Sequence, residues 1–483
     1  MRVLMLGWDF SPRLSGGVGT ACRGLAQALT RAEGALRTEV LFVLPRLRGD
    51  EAPGRVRVLG TDPLELPAAP RAAEEPGPPA PPAPPRAAGP PAREPEPGTL
   101  PSPDEALRLL TIDSPLRPYL GPSDYATAVH KLFTRLAAAP RRRASPPPAT
   151  APLAAPHATA RTAMARAPLT LPLVPVPPYG KTLLAEVERY ARAVLALTQA
   201  EPFDVIHAHD WMTMPAGMLL RERSGKPLVA HFHSCEAERR GAHGAREARA
   251  IEQAAIDAAE RVLCVSEASA RTLRANYALE YAKLRVLHDA LEPVGTPAAR
   301  RARATRTVLY LGRLSEQKGP DVFLRAAARV AERRPEARFV LAGEGELYPE
   351  LEALARELGI RARVRFTGFV GPEELAATYG AADVYVLSSH SEPFGISALE
   401  ALSLGVPTIV PKGAGVAEVV RSVLLFEPGD EADLAERMES LLVRPALAAE
   451  LSSAGLREVA GLRWDRPARL LRGIYAEVAQ VPA

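Results

Sequence analysis

Two short segments of this 483-residue chain carry the residue types that phosphate chemistry needs. In Tyr310-Leu-Gly-Arg313-Leu-Ser-Glu-Gln-Lys318-Gly319, two cations stand five residues apart in a glycine-containing loop. A guanidinium offers a planar fork of donors and an ammonium a compact point charge. Together they can clamp a diphosphate and neutralise it as a leaving group. One of only six lysines falls here, so drift explains the pair poorly. The second segment is Ser391-Glu392-Pro-Phe-Gly395-Ile396-Ser-Ala-Leu-Glu400. Gly395 opens a helix whose first amides, with that of Ile396, could bind phosphate. Glu400, further into the helix, can reach a ribose diol, and Glu392 lies in the loop facing the cleft. A purely structural role would suit either glutamate alone, but not both beside an Arg–Lys loop.

Two segments of the first half add weaker signals. Ser15-Gly16-Gly17-Val18-Gly19-Thr20 follows a short apolar run and opens a helix, where glycines let a ligand approach backbone amides. The pattern G-x-G-x-x-G fails because Cys22 takes the last place, so a tight structural turn fits equally well. In Asp204-Val-Ile-His207-Ala-His209-Asp210-Trp211, strand alternation puts His207 and His209 on one face and Asp210 on the other. His209 and Asp210 end that strand, where side chains point into a crevice. His231-Phe-His233-Ser-Cys-Glu236 ends another. Four histidines raise the question of a metal, but no helical His-x3-His pair or carboxylate triad accompanies them, so zinc is not expected. No Asp-x-Asp occurs, which argues against a manganese site of the kind some sugar transferases use. The expectation is no metal and no resident cofactor.

These motifs need elements that place them after strands. Short apolar runs at 3–6, 40–44, 204–208, 227–232 and 261–265 alternate with helical stretches such as 20–32. A second series has strands at 307–311, 338–342, 364–366, 384–387 and 408–410, with helices at 320–333 and 348–358. Strands spaced by helical patterns mean βαβ units and a parallel sheet. Two series meeting in the stretch 293–305 predict an α/β protein of two doubly wound, Rossmann-like domains. Ligands of such sheets bind beyond the carboxyl ends of the strands.

Residues 61–100 hold fourteen prolines and no aromatic residue, and 139–178 hold eleven prolines and again none. Neither stretch buries enough apolar surface to offset its ordering entropy, so both read as linker. The apolar residues between 105 and 138 suffice for one or two helices. Deleting residues 65–100 is therefore expected to leave the melting temperature and the activity nearly unchanged, because longer surface loops close at little extra entropy. Calorimetry of the deletion variant checks this, and a large loss of stability would show that the segment packs.

Composition removes other classes. Sixty basic residues, 54 of them Arg, face 56 acidic ones, and a net charge of +4 is too balanced for a nucleic-acid footprint. Cys22, Cys235 and Cys264 are too few for a disulfide framework. No apolar run approaches the roughly 18 residues a spanning helix needs. The first residues lack a signal-peptide pattern, and a cytoplasmic protein is expected.

Taken together, these segments resemble the retaining GT-B glycosyltransferases of glycosyltransferase family 4 and the glycogen/starch-synthase type. The residues that carry the likeness are the Gly16-Gly17 loop, His-Ala-His-Asp-Trp, Gly-Arg-Leu-x3-Lys-Gly at 312–319 and Thr367-Gly368-Phe369. The Glu392-x7-Glu400 pair and Gly413-x-Gly-Val-x-Glu418 complete the set. The resemblance implies a nucleoside-diphosphate sugar donor, with Arg313 and Lys318 on the diphosphate, the Gly395 and Ile396 amides beside it and Glu400 on the ribose. His209 would contact the donor sugar, Glu392 would lie against its ring beside the reacting carbon, Gly16 and Gly17 would line the crevice near the phosphates or acceptor, and backbone groups near Phe369 would meet the base.

The implied architecture is GT-B, two domains facing across a cleft. Residues 1–292 form the acceptor side with an insert at about 61–178, 304–463 the donor side, and 464–483 a helix crossing back. A hexose, glucose in the expected case, would pass to a saccharide or other hydroxyl, with glycogen or α-glucan synthesis as one form of the activity. Leu14 stands where starch synthases of bacteria carry lysine, Gly413-Ala-Gly415 replaces their Thr-Gly-Gly, and Asp289 stands where many relatives have asparagine. These departures weaken the glucan form. The alternatives are a sugar-nucleotide epimerase and a non-catalytic nucleotide-sugar-binding scaffold.

Overall fold

The computed structural model describes residues 1–8, 10, 17–31, 38–45, 56–61, 107–112, 183–241, 245–292, 294–296 and 305–480. Gly16, Leu14, the proline-dense stretches 62–100 and 139–178, and most of the 293–305 boundary lie outside these residues. The first sheet is built from β1 (Arg2–Leu6), β2 (Glu39–Leu44), β3 (Val56–Thr61), β4 (Leu107–Ile112), β5 (Val205–His209), β6 (Leu228–Phe232), β7 (Arg261–Cys264) and β8 (Leu284–Val286). Its order is β3-β4-β2-β1-β5-β6-β7-β8, with every neighbouring pair parallel. The second contains β9 (Arg306–Leu311), β10 (Ala337–Ala342), β11 (Val364–Gly368), β12 (Val384–Val386), β13 (Thr408–Pro411) and β14 (Leu424–Phe426). It runs β11-β10-β9-β12-β13-β14 and is again parallel throughout.

Central strands such as β5 and β6 are buried along their whole length, because helices cover both faces. The helix Pro320–Arg333 shows how the sequence codes the layers. Pro320 suits the first helical turn, where its missing N–H would have no partner anyway. Val322, Phe323, Ala326, Ala327 and Val330 recur at helical spacing and are buried on the sheet. Each large apolar side chain there contributes roughly 1.5–3 kcal/mol. Pro335 follows the last turn and prevents continuation.

Two expectations change. Of the segment 105–138, read as helical, residues 107–112 form β4, a strand lying between β2 and β3, and the remainder lies outside the described residues. A short apolar run does not distinguish helix from strand, and the open edge of β2 decides the outcome. β3, β8 and β14 are further strands that their short sequences did not announce.

The chain ends in the helix Asp465–Ala479, which packs on the first helix, Gly17–Thr30, and on β5. Its preceding Trp464 lies against Gly24, and Glu477 pairs with Arg261. One apolar core cluster contains residues of both sheets together with Trp464, Leu471 and Tyr475. Among the described residues no helix is long and apolar enough to cross a membrane.

Candidate active site

In each sheet the chain winds outward in both directions from one switch point, between β1 and β5 and between β9 and β12. The loops leaving those strands are the ones singled out by residue type. After β9 come Gly312 and Arg313, and the backbone on both sides of Arg313 is pinned by Gly312 N–H to the Ala342 carbonyl (3.0 Å) and Leu314 N–H to the Glu344 carbonyl (2.9 Å). The loop then turns through Lys318 to Gly319, which has φ +59°. After β12 comes 388–392. Ser388 Oγ donates to the Gly319 carbonyl at 2.7 Å, and His390 N–H to the Gln317 carbonyl at 2.9 Å. The two loops are thereby fastened side by side.

This fastening brings Lys318 Nζ to 2.8 Å from Glu392 Oε2, joining residues 74 positions apart. Ser389 Oγ donates to the same oxygen at 2.7 Å. The Glu392 side chain is buried while Lys318 is partly open, so the ammonium stands on the solvent side of the carboxylate. Gly395, at φ +108°, starts the helix Ile396–Ser403. Within that helix Glu400 accepts from Tyr379 Oη at 2.8 Å. Burial pushes the Glu400 carboxyl up to about 7, and the tyrosine bond offsets part of the rise. Phe369 is half-buried directly after β11.

The first sheet meets this group closely. A methyl on Gly17 would lie 3.9 Å from Ile396 Cδ1, so Gly17 faces the start of the helix that holds Glu400. Glu418 crosses between the sheets. Its carboxylate accepts from Glu267 N–H and Ala268 N–H at 2.8 Å each, at the start of the helix Glu267–Asn276, and lies 2.8 Å from His288 Nε2. A carboxylate suits that positive helix end.

His209 and Asp210 sit at the end of β5 as expected, but neither side chain projects into an open crevice. His209 is fully enclosed, its Nδ1 2.9 Å from His233 Nε2. Its ring packs against those of His207 and His231, with centroids 4.1 and 5.2 Å away. Asp210 has φ +57° and accepts from His233 N–H at 2.8 Å, so its carboxylate builds a turn. Burial, and then neighbouring histidines, hold His207, His209 and His231 well below the ordinary imidazole range. Asp289 is buried as well, and burial followed by the charge of Asp210 raises its carboxyl.

The Arg–Lys loop, Glu392, the Gly395 helix start and Glu400 are thus assembled in one place, with Gly17 opposite. Residue type alone did not reveal Ser389 or Tyr379, which hold the two glutamates. Only the loop pairing and the packing of the helix Pro372–Gly380 make them visible.

A family model described as glycosyl transferases group 1 matches residues 298–457, and one described as glycosyltransferase family 4 matches residues 138–293. Similar proteins include a D-inositol 3-phosphate glycosyltransferase of Kribbella flavida, 30% identical over 62% of this chain and 78% of that protein. Another, of Thermobispora bispora, is 33% identical over 59% of this chain and 73% of its own. Sucrose-phosphate synthase from Thermosynechococcus elongatus superimposes with a TM-score of 0.64 at 20% identity, covering 99% of this chain and 98% of that one. Anabaena Alr3699/HepE in complex with UDP and glucose gives 0.60 at 15% identity, covering 99% and 100%. With two parallel sheets meeting at their switch points and relatives of this similarity, the chain belongs to the family 4 glycosyltransferases of GT-B fold.

Proposed function

We propose that this glycosyltransferase moves a hexose from a nucleoside-diphosphate sugar to a hydroxyl acceptor with retention of anomeric configuration. The observation that carries the reading is the Lys318–Glu392 pair, which places a cation beside the carboxylate that would lie under the sugar. Residues 304–463 would hold the donor, residues 1–292 the acceptor, and 464–483 would tie the two together. Arg313 and Lys318 would neutralise the diphosphate as its bond to the sugar breaks, a task that in this reading needs no metal. The Gly395 and Ile396 amides would add hydrogen bonds to phosphate at a positive helix end. Gly17 would line the crevice opposite.

A double displacement needs a second carboxylate about 5–5.5 Å from the first. Glu400 is occupied by Tyr379, and the reading gives it the ribose. Front-face transfer follows, in which the departing diphosphate accepts the acceptor's proton. Glucose is the sugar we assign, and the Anabaena neighbour, which holds UDP and glucose, supports it. The Kribbella and Thermobispora proteins are named for inositol 3-phosphate, which favours a small polyol acceptor over a glucan.

Hydrolysis and thermal stabilisation measured across ADP-, UDP- and GDP-sugars, with inositol 3-phosphate and a glucan primer as acceptors, test this. Stabilisation without turnover on any pair would leave a scaffold, and a changed sugar without transfer would leave an epimerase. Arg313→Ala and Lys318→Ala are each expected to lower kcat/KM more than tenfold, about 1.4 kcal/mol or more in transition-state stabilisation. Unchanged kinetics in both variants would remove the clamp.

Glu400 gives a pH signature. Its carboxyl, raised from 4.5 to about 7, keeps a proton in the folded state that the unfolded chain has lost. Its contribution to stability is therefore present below 4.5 and is lost as pH rises through about 7. A ribose diol donates best to the ionised form, so donor KM is expected to fall as pH rises through that value. Glu400→Gln should flatten the profile, and a slope that survives the substitution would assign it elsewhere.

A further inference from the structure

The surface that the first sheet's side turns towards Lys318 is built on buried charge. The helix Glu236–Arg240 follows β6 and packs against the turn Glu316–Lys318 on the second sheet's side. Five residues are too few for a helix to hold itself in water, so its place is fixed from outside. Glu252, fully enclosed in the helix Arg246–Ala258, does this. Its Oε1 accepts from Glu236 N–H at 2.9 Å and from Arg239 Nη2 at 3.0 Å, and its Oε2 accepts from Tyr277 Oη. Arg239 Nη1 in turn donates to the Ser234 carbonyl at 2.8 Å, which ties in the loop leaving β6.

Glu238 joins the same short helix to the helix Glu267–Asn276. Its Oε2 accepts from Cys235 N–H at 2.8 Å and its Oε1 from Ser269 Oγ. Just before Ser269, the amides of Glu267 and Ala268 hold Glu418 of the second sheet's side. Glu418 ends the helical turn Gly415–Glu418, and Gly415 N–H donates to the Glu392 carbonyl at 3.2 Å. One unit of the first sheet's side therefore meets the Lys318–Glu392 pair from two directions, at the Lys318 turn and through Gly415–Glu418.

We propose that Glu252 is a positioning residue for sugar transfer: by anchoring the helix Glu236–Arg240 it sets where the first sheet's side bears on the Lys318 turn and so aligns Lys318 with Glu392. The proposal rests on the transfer reading for the task of that pair. Apolar residues would often stabilise such a core better, because taking charges out of water costs more than their pairing returns. What the charged network supplies is direction, since three donors from two elements converge on one carboxylate. The groups facing Glu252 are Glu236, Arg239 and the Cys235 thiol from the short helix and its cap, and Tyr277 from the end of the helix Glu267–Asn276. Glu238 lies beyond Cys235, and Arg249 of Glu252's own helix faces Tyr277. Burial raises the Glu252 carboxyl to about 7, while Arg239 and then the tyrosine bond hold it below what burial alone would give. The bonds it accepts suit the ionised form, so alignment is complete above that value and loosens as pH falls through it.

The test compares full-length wild type, Glu252→Gln and Tyr277→Phe with UDP-glucose as donor. Wild-type kcat is expected to rise as pH increases through about 7. Glu252→Gln, which keeps the side chain's size, should lower kcat roughly tenfold or more, flatten that rise and leave donor KM within about threefold. Tyr277→Phe removes a bond that holds the carboxyl down, so the rise should move to higher pH, a readout that stands even if Glu252→Gln misfolds. The Glu400 signature falls on donor KM, which keeps the two carboxyls apart. Amide hydrogen exchange needs no turnover: Glu252→Gln should speed exchange at 236–240 and at 316–318 and leave β10 unchanged. Unchanged exchange at 316–318, or a kcat profile that neither variant moves, would overturn the proposal. Unchanged kinetics in Lys318→Ala would instead sink the transfer reading, and the exchange result would still decide whether Glu252 positions the turn.

Discussion

Glu392→Gln is expected to cut turnover by roughly 10²-fold while donor affinity stays within a few-fold, the pattern of an interaction made mainly in the transition state. Glutamine keeps the size of the side chain and an oxygen for the Ser389 hydroxyl. It loses the negative charge. In the ground state that charge is already spent on Lys318 at 2.8 Å, so its removal frees the ammonium for the diphosphate and donor binding suffers little. In the proposed reaction the sugar ring would become positive as the bond to the leaving group lengthens, and the Glu392 carboxylate would then stabilise it. A loss of 10² corresponds to about 2.7 kcal/mol of that stabilisation. Steady-state kinetics with the preferred donor measures the split between kcat and KM. Proton NMR of the first products reads the anomer, and an α-linked donor should give an α-linked product. A β-linked product, or an unchanged kcat in the variant, would sink the front-face reading.

Gly319→Ala is the second large effect, and it acts on geometry without removing any charged group. Gly319 has φ +59°, and an added Cβ would lie 2.3 Å from the Ser388 carbonyl oxygen, a backbone atom that cannot swing aside. Relief requires the loop carrying Lys318 to separate from the loop carrying Glu392. Left-handed strain and the clash together should cost about 2–3 kcal/mol. For a unit of this size that is a fall of roughly 4–12 °C in melting temperature. Displacing reacting groups by about 1 Å typically costs 10²-fold in rate. Calorimetry and kcat/KM check both parts. Wild-type values for both would show that the loops do not depend on this contact.

The Arg–Lys loop and the Glu-x7-Glu segment were legible because their chemistry is local. Two cations five residues apart in a glycine loop, or a glutamate just before a helix start, need no distant partner to be recognised. The βαβ alternation was legible for the same reason, since apolar spacing within each element reports its own period. Leu107–Ile112 shows where that logic stops. Its apolar residues suit helix or strand, and its identity as a strand depends on β2, some 60 residues earlier in the chain, offering an edge. The enclosure of His209 was illegible too, because alternation assigns a face and does not say which elements cover it.

By itself, then, the amino-acid sequence determined the two series of strand–helix units, the loops that carry Arg313, Lys318 and Glu392, and the residue types at the candidate site. Propensity, periodicity and charge act over a few residues and are written in the order of the chain. The tertiary structure alone decided that Lys318 meets Glu392, that Tyr379 holds Glu400, that Glu418 caps a helix of the other sheet, and that the histidines of β5 and β6 share one floor beneath Tyr475. Each of these depends on which strands become neighbours and in what register. That choice is made by burying many apolar side chains at once, so no short stretch of sequence contains it.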